Sequence, residues 1–252
     1  MKPATRDAAR PVQQAPGLFT YHFVRLWMKT MVRCYVHVRI SGLENLPAEG
    51  PILICFNHPS WLDPLFLVGC WPDRKRRLFV FGPREEDMTD SLRNRAIART
   101  RRGVPVKPGG ADALDATRRA VAVLRGGDAL VIAGEGHLSD HEGELMPLEP
   151  GVAHFAMLAR LPVIPLAIIG TRWVHFGSTV RLRFGRPVDY RGHGSGRDGA
   201  RIMTAELQTA LQGLLAGVTD QPRPGRVGAF LSELFNDRSW KDEVTAEGAA
   251  PD

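Results

Sequence analysis

One stretch of this sequence combines residue types that suit acid–base chemistry. It reads NHPSWLD over residues 57–63 and follows an apolar run at residues 51–56. The apolar run predicts a buried strand, and Pro59 disfavours a helical backbone at His58, so the histidine should lie in a turn at a strand exit. Such a turn can fold the Asp63 carboxylate back onto the imidazole. The carboxylate would fix the ring tautomer and leave the other nitrogen free to take a proton from a substrate hydroxyl or thiol, which makes His58 a candidate general base.

The spacing of His58 and Asp63 is not specific by itself. A histidine and an aspartate with four residues between them also occur where the aspartate only caps a helix or bonds nearby backbone. The histidine is then an ordinary loop residue. The catalytic interpretation therefore depends on the rest of the chain.

The composition limits the class of protein. The chain has 252 residues, of which 44% are hydrophobic and 24% charged, so it can bury a sizeable core. Its three cysteines have no paired metal-ligand spacing, and an odd number of cysteines does not make an even disulfide framework, which favours a reducing compartment. We find no secretory signal and no apolar run of about 18 residues, so we expect a protein that is neither exported nor integral to a membrane.

Basic residues cluster in the sequence. Residues 74–77 read RKRR, five arginines follow between residues 93 and 102, and the net charge is +6. This balance suits an anionic partner such as a lipid headgroup, a nucleotide-bearing cofactor, an acidic carrier protein or nucleic acid. Nucleic acid has little support, because there is no zinc-finger spacing and no aromatic RNA-binding signature. A merely solvated basic surface is the alternative.

Residues 17–36 predict an amphipathic helix. Arg25, Lys29 and Arg33 recur every fourth residue and would form one basic stripe. Aromatic and apolar residues lie away from that stripe: Phe19, Phe23, Leu26 and Trp27. Such a helix can lie in a membrane interface, or it can pack on the body of the protein with an exposed basic edge. With the composition, this predicts a cytoplasmic protein, peripheral on the cytoplasmic face of the membrane.

Strands alternate with helices along the rest of the chain. This order predicts an α/β fold with a mixed, largely parallel sheet flanked by helices. The predicted strands are residues 37–40, 51–56, 78–81, 129–133, 161–169 and 180–184, with a short extended piece at residues 103–106. The first predicted helix begins near Ser60 and ends at Cys70. Four more are predicted, at residues 90–99, 112–125, 151–160 and 201–215. Pro162 and Pro165 favour an edge or irregular position for their strand.

The chain divides into four predicted regions. Residues 1–16 are an expected disordered start, and residues 17–36 are the amphipathic helix. Residues 37–219 form the main domain. Residues 220–252 form a tail with a short helix at residues 227–235 and a disordered end.

Two further blocks accompany the first one. A second strand exit reads GEGHLS over residues 134–139, with later glycines at 143 and 151, and a strand reads LPVIPL over residues 161–166. In this order the blocks resemble the glycerolipid acyltransferase superfamily, typified by bacterial 1-acyl-glycerol-3-phosphate acyltransferases. That family has the blocks N-H-x4-D, G-x-x-x-x-x-R, F-P-E-G-T-R-S and V-P-x-x-P. The resemblance covers roughly residues 40–190, which makes residues 37–219 an acyltransferase domain.

The resemblance implies a role for each matching residue. His58 would be the general base that deprotonates the acceptor hydroxyl, and Asp63 would orient it. Glu135 and Gly136 would bind the acceptor, because a carboxylate can bond a glycerol hydroxyl and glycine lets a substrate approach the backbone. Asn57 and Ser60 would shape the turn and line the substrate-binding site. Pro162 and Pro165 would be structural or part of the acyl site.

The chain departs from the family at both phosphate-binding arginines. Where the family has Thr-Arg after Glu-Gly, this chain has His137-Leu138, so an arginine that would grip a phosphate with two hydrogen bonds is missing. In the second block, Pro108 stands at the arginine position. Either the acceptor is not a simple lysophosphatidate, or other side chains bind its phosphate. The candidates for that binding are Arg102, Lys107, His137 and Arg172.

The resemblance implies a membrane-associated O-acyltransferase of phospholipid biosynthesis. It would move a fatty acyl group from acyl-CoA or acyl carrier protein to the hydroxyl of a 1-acyl-glycerol-3-phosphate-like lysophospholipid, without an acyl-enzyme. The acyl thioester would be a co-substrate, and no cofactor or metal is expected. The implied partners are a membrane lipid surface, the thioester donor and the lipid acceptor, with no nucleic acid.

Two alternatives stay open. The chain is either an acyltransferase for a non-phosphate acceptor, such as a glycolipid or an amino-acid lipid, or a lipid- or acyl-carrier-binding protein without catalysis. A serine hydrolase is disfavoured because the sequence has no Gly-x-Ser-x-Gly elbow.

Overall fold

The structure of the protein is a computed structural model, in which one β-sheet carries helices on both faces. The residues that it describes are 18–73, 75–82, 103–104, 106, 111–139, 141–194, 196–229 and 232. The predicted helix at residues 90–99 lies outside these ranges. So do the predicted disordered start and end of the chain.

The sheet has seven strands within the described residues. They are β1 (His37–Ser41), β2 (Ile52–Phe56), β3 (Leu78–Phe81), β4 (Gly103–Val104), β5 (Ala129–Ala133), β6 (Val163–Ile169) and β7 (Thr179–Phe184). Their order across the sheet is β1-β7-β6-β2-β5-β3-β4, and every neighbouring pair is parallel except β6 and β7. The predicted mixed, largely parallel sheet is confirmed. Strands β2, β5 and β6 are apolar and almost entirely buried, as is typical of parallel strands that are covered on both faces.

Helices cover both faces of the sheet. They are α1 (Leu18–Tyr35), α2 (Asp63–Cys70), α3 (Ala111–Arg125), α4 (Gly151–Ala159) and α5 (Gly196–Leu215). Alternate residues of β2 separate the two layers, because successive side chains of a strand point to opposite faces. Leu53 and Cys55 pack with residues of α3, α4 and α5, whereas Ile54 and Phe56 pack with residues of α1 and α2.

The sequence predicted an edge or irregular position for the strand with Pro162 and Pro165. The edge position is wrong, because β6 lies between β2 and β7, but the pairing beside the prolines is irregular. Pro162 precedes the strand and needs no ladder bond. The nitrogen of Pro165 faces the β7 side of the sheet, where β7 has already ended at Phe184. There the Pro165 carbonyl accepts a hydrogen bond of 2.8 Å from the backbone N–H of Gly185. The next bridge joins Val163 to Val188, so the partner segment has one residue more than β6 over this stretch, and such an irregular pairing accepts a proline.

Helix α1 packs against α2 on one face of the sheet. At Gly69 an added Cβ atom would lie 3.4 Å from the carbonyl of Met28, so the two helices approach closely. Arg25 donates a hydrogen bond to the carbonyl oxygen of Trp71, just beyond α2. Arg25 therefore departs from the predicted outward-facing basic stripe and lies against the protein. The exposed face of α1 carries large apolar side chains: Phe23, Leu26 and Trp27.

Helix α2 begins at Asp63, the last residue of the NHPSWLD stretch, and therefore later than the predicted start near Ser60. Ser60 holds the intervening turn with two bonds. Its hydroxyl accepts from the N–H of Leu62 over 3.1 Å, and its carbonyl accepts from the N–H of Asp63 over 3.0 Å. A serine that bonds nearby backbone in this way favours a turn over a helix.

The described part of the tail packs on the domain. Residues 226–229 and 232 are helical, within the range predicted for a short helix. Ser232 is fully buried, and its hydroxyl donates a hydrogen bond of 3.3 Å to the carbonyl of Arg172. The tail therefore covers the segment that leaves β6.

Candidate active site

The carboxyl ends of β6, β2 and β5 lie side by side, because these neighbouring strands are parallel. Three polar segments leave the sheet there: residues 57–63 after β2, residues 134–139 after β5 and residues 170–172 after β6. Open parallel sheets bind ligands at this edge. The topology thus brings together blocks that are far apart in sequence.

His58 and Asp63 form the predicted pair. The Nδ1 atom of His58 lies 2.8 Å from Oδ2 of Asp63, and the same oxygen accepts a hydrogen bond of 3.0 Å from the N–H of Ser60. An ionised carboxylate only accepts hydrogen bonds, so Nδ1 carries the proton and donates it to Asp63. Nε2 then has a free lone pair. This is the tautomer that a general base requires.

The imidazole of His58 is enclosed but not sealed. Its side chain is 12% exposed, whereas Asp63 is fully buried. The rings of Phe56 and Trp61 meet it edge to face, with centroid separations of 5.6 and 5.9 Å. The ring is held on several sides while a small part of it reaches solvent, as a residue that accepts a substrate proton must.

Burial raises the pKa of the Asp63 carboxyl. The hydrogen bond and charge of His58, the nearby Thr171 hydroxyl and the N–H of Ser60 all act in the opposite direction. The ionised form of Asp63 therefore depends on these neighbours. Once ionised, the buried carboxylate attracts the imidazolium strongly, because water screens the two charges less in the protein interior than at the surface.

Glu135 lies at the centre of the site but is fully buried. Its Oε2 accepts a hydrogen bond of 2.8 Å from the backbone N–H of His58, and its Oε1 accepts one of 2.9 Å from the N–H of Met146. Burial raises the pKa of Glu135, and these two bonds oppose the rise. Both oxygens thus bind backbone of this chain. The geometry makes Glu135 a brace that ties the second block to His58, and contact with an acceptor hydroxyl stays a prediction.

Asn57 joins the first block to β6. Its side-chain Nδ2 donates to the carbonyl of Ile168 over 3.0 Å, and its Oδ1 accepts from the N–H of the same residue over 2.7 Å. The carbonyl of His58 also accepts a bond of 2.8 Å, from the N–H of Ser139. The peptide units on both sides of His58 are therefore held in place. Contact of Asn57 and Ser60 with a substrate stays a prediction.

The predicted acceptor-binding residues fall in different places. Gly136 lies in the turn after β5 with a φ of +72°, a conformation that favours glycine, and His137 beside it is exposed. The half-buried Arg172 follows β6, and its charge acts on the pKa values of His141 and Asp220. Their binding of an acceptor phosphate stays a prediction. Two further candidates lie outside the described residues: Arg102 and Lys107.

Two buried polar residues of the site were missed by the sequence reasoning. Thr171 is fully buried and lies near Asp63. Glu142 is also fully buried, and its Oε1 accepts hydrogen bonds from the N–H groups of Gly170 and Arg172, of 3.0 and 2.8 Å. The sequence pattern that identified His58, a polar residue just after a buried strand, is also present at Thr171. Glu142 has no such local signal, because its partners are contributed by the end of β6.

The described residues give no support to a metal centre or a membrane-spanning helix. Among them, no three His, Cys, Asp or Glu side chains are grouped so that they would hold a metal ion. Every helix that the structure describes is too short or too polar to span a bilayer.

Comparison with known proteins agrees with the geometry. The model of a family described as Acyltransferase matches residues 37–169. The chain is 27% identical over 158 residues to 1-acyl-sn-glycerol-3-phosphate acyltransferase alpha of Mus musculus, covering 60% of this chain and 51% of that protein. It is 25% identical over 157 residues to the chloroplastic 1-acyl-sn-glycerol-3-phosphate acyltransferase BAT2 of Brassica napus, covering 60% of this chain and 43% of that protein. The chain thus spans about half the length of these relatives, or less.

The fold also has a solved counterpart. The crystal structure of the 1-acyl-sn-glycerophosphate (LPA) acyltransferase PlsC from Thermotoga maritima superposes with a TM-score of 0.58 at 21% identity. The match covers 79% of this chain and 81% of that one. It identifies the arrangement of sheet and helices as the same fold.

Proposed function

Since the chain belongs to the Acyltransferase family, we propose that it moves a fatty acyl group from a thioester, acyl-CoA or acyl carrier protein, to the hydroxyl of a lysophospholipid. The observation that carries the proposal is the bond between His58 Nδ1 and the buried Asp63, which leaves Nε2 available as a base. The names of the curated relatives support an acceptor like 1-acyl-glycerol-3-phosphate.

The proposed reaction is a direct transfer. His58 Nε2 takes the proton of the acceptor hydroxyl while the hydroxyl oxygen attacks the thioester carbonyl carbon. The carbon–sulfur bond then breaks, and the proton passes from the imidazolium to the leaving thiolate. Asp63 stabilises the imidazolium between these two steps. Glu135 keeps the backbone of His58 in place through the bond to its N–H.

The proposed place of action is a membrane surface. Phe23, Leu26 and Trp27 are 62%, 63% and 58% exposed on one face of α1. Phe176, which meets Tyr35 near the end of α1, is 75% exposed as well. An apolar face of this kind suits a helix that lies in the headgroup region of a bilayer, where a lysophospholipid resides.

A transfer assay tests the proposal. Purified protein receives radiolabelled palmitoyl-CoA with lysophosphatidate or with a panel of neutral and zwitterionic lysolipids. We expect labelled product from lysophosphatidate, and a rate lower by roughly 10²- to 10⁴-fold in His58→Ala. The matched control is His154→Ala, because His154 is exposed on α4, on the other side of the sheet, and should retain the wild-type rate.

Each outcome of this assay decides a different point. An unchanged rate in His58→Ala would remove His58 from the mechanism. Absence of transfer from palmitoyl-CoA is followed by the same assay with palmitoyl acyl carrier protein as donor. Absence of transfer from both donors to every acceptor, together with measurable lipid binding, would favour the non-catalytic binding protein.

A second candidate function differs only in the acceptor. Leu138 stands where the family has its phosphate-gripping arginine, and it is half-buried and apolar. This observation favours an acceptor without a phosphate, such as a glycolipid or an amino-acid lipid. The acceptor panel separates the two functions, because a lysophosphatidate rate above that of every neutral lysolipid would rule out the second one.

A further inference from the structure

A second oxygen of Asp63 points away from His58 and has no use in the mechanism above. Oδ2 accepts two hydrogen bonds, from His58 Nδ1 and from the N–H of Ser60. Oδ1 is buried and has no hydrogen-bond partner among the described residues. A buried carboxylate oxygen without a donor is unfavourable, so its surroundings should contain one.

The side chain that can supply this hydrogen-bond donor is Thr171. It is fully buried, and its hydroxyl oxygen also has no hydrogen-bond partner among the described residues. The Thr171 hydroxyl lies close enough to Asp63 to oppose the rise that burial causes in the pKa of that carboxyl. A hydroxyl and a carboxylate oxygen are complementary as donor and acceptor.

The backbone around Thr171 is held so that the hydroxyl stays beside Asp63. The N–H groups on either side, of Gly170 and Arg172, both donate to Oε1 of Glu142. Gly170 has a φ of +90°, and an added Cβ atom there would lie 2.2 Å from the carbonyl oxygen of Thr179. Glu142 and Gly170 together fix the turn, and the turn presents the Thr171 side chain.

We propose that Thr171 is a positioning residue for the general base: its hydroxyl donates a hydrogen bond to Oδ1 of Asp63, which holds the carboxylate and offsets part of the negative charge that it presents to His58. Glu142 supports this arrangement by holding the turn. The inference rests on the proposed function for its effect on turnover. Its effect on the His58–Asp63 pair does not depend on any substrate.

The charged groups around Asp63 determine the direction of the expected effect. His58 faces Oδ2 of Asp63, and the charge of Asp63 raises the pKa of the buried Glu142 carboxyl. Asp220 also acts on Glu142, and Arg172 acts on Asp220. Loss of the Thr171 donor leaves the negative charge of Asp63 less compensated. The imidazolium of His58 is then favoured over the neutral ring, so its titration should move to higher pH.

The first test measures that titration directly. The protein is labelled with 15N in its imidazole rings, and the His58 signals are identified by their loss in His58→Gln. We expect the midpoint of the His58 signals to lie at higher pH in Thr171→Val than in wild type, and at the wild-type value in Thr171→Ser, which keeps the hydroxyl. This measurement needs no turnover, so its failure is distinct from failure of the proposed function.

The second test measures turnover against pH. In Thr171→Val we expect kcat lower by roughly 10-fold with KM little changed, as for loss of a hydrogen bond to a charged group, and an acid limb that moves to higher pH. Thr171→Ser should restore both. The control is Thr204→Val on α5, which loses a hydroxyl that bonds the Ala200 carbonyl over 2.7 Å and should leave the profile unchanged.

The proposal is overturned if the His58 titration is the same in Thr171→Val as in wild type. It is equally overturned if Thr171→Ser behaves like Thr171→Val, because the hydroxyl would then not be the active group. If Thr171→Val does not fold, Thr171→Ala is compared with Thr171→Ser in the same titration. The difference between those two variants then decides the question.

Discussion

At the scale of single residues, the site depends on one imidazole and on the carboxylate behind it. Asp63 contributes more than a charge, because Oδ2 accepts both the His58 Nδ1 proton and the N–H of Ser60. Those two bonds set the direction of the carboxylate. The direction of the carboxylate in turn sets the tautomer of His58, and only one tautomer presents a lone pair to the substrate.

Replacement of Asp63 by Asn tests this dependence. The amide has nearly the same shape but carries no charge, so it cannot stabilise the imidazolium, and its NH2 group would favour the wrong tautomer when it faces Nδ1. We expect kcat to fall by roughly 10²-fold or more while KM changes little. The measurement is the palmitoyl transfer assay, with Asp189→Asn on the exposed surface as the control. A variant with near-wild-type kcat would show that Asp63 has only a structural role.

The sequence was sufficient for His58 and Asp63 because both lie in one short block. It was not sufficient for Glu135, which was expected to bind the acceptor and instead accepts bonds from two backbone N–H groups. A carboxylate has the same appearance in a sequence whether its oxygens face a substrate or the backbone. Glu142 and Thr171 illustrate the same limit, since their proximity to Asp63 arises only when β6 lies beside β2.

At the scale of elements, hydrophobic patterns predicted the strands well. The range 129–133 is identical in prediction and structure, and β3 also has its predicted bounds. Local rules failed where a neighbour decides the outcome. Two prolines suggested an edge or irregular strand, and β6 is an interior strand whose pairing is irregular beside Pro165. The turn at Ser60 delayed the helix by three residues, since the side chain bonds backbone that a helix would otherwise use.

Helix α1 carries the prediction that belongs to this scale. Serine at both Leu26 and Trp27 should weaken binding to vesicles of anionic phospholipid by at least 10-fold, because burial of each such side chain contributes about 1.5–3 kcal/mol. The measurement is co-sedimentation with vesicles over a range of lipid concentrations.

The matched control for α1 lies on the opposite face of the sheet. Leu158 on α4 is 52% exposed, and Leu158→Ser removes a similar apolar side chain from that face. Equal binding by wild type and the α1 variant would contradict a lipid-facing role for this helix. A comparable loss of binding in Leu158→Ser would mean that the binding is not specific to α1.

At the scale of the whole molecule, the site places several carboxyl groups in the protein interior. Asp63, Glu135 and Glu142 are fully buried, and burial raises the pKa of each. An acid with a higher pKa in the folded than in the unfolded state binds more protons when folded. The free energy of unfolding therefore falls as the pH rises above the ordinary carboxyl pKa. The protein maintains this unfavourable burial at the edge of the sheet where its candidate active site lies.

The stability lost when a buried carboxyl ionises can be tested at Glu142, because its replacement leaves the His58–Asp63 pair intact. Glu142→Gln keeps an oxygen that accepts from Gly170 and Arg172 but removes a group that burial, with the charges of Asp63 and Asp220, makes hard to ionise. As the pH rises from 5 to 8, above the ordinary glutamate value of 4.5, urea unfolding should show a smaller loss of stability in the variant than in wild type. Glu144→Gln, at an exposed position, should follow the wild-type curve. Parallel curves for wild type and Glu142→Gln would mean that ionisation of Glu142 does not oppose folding, and the cost would then fall on Asp63 and Glu135, the two carboxyls that bind the His58 segment directly.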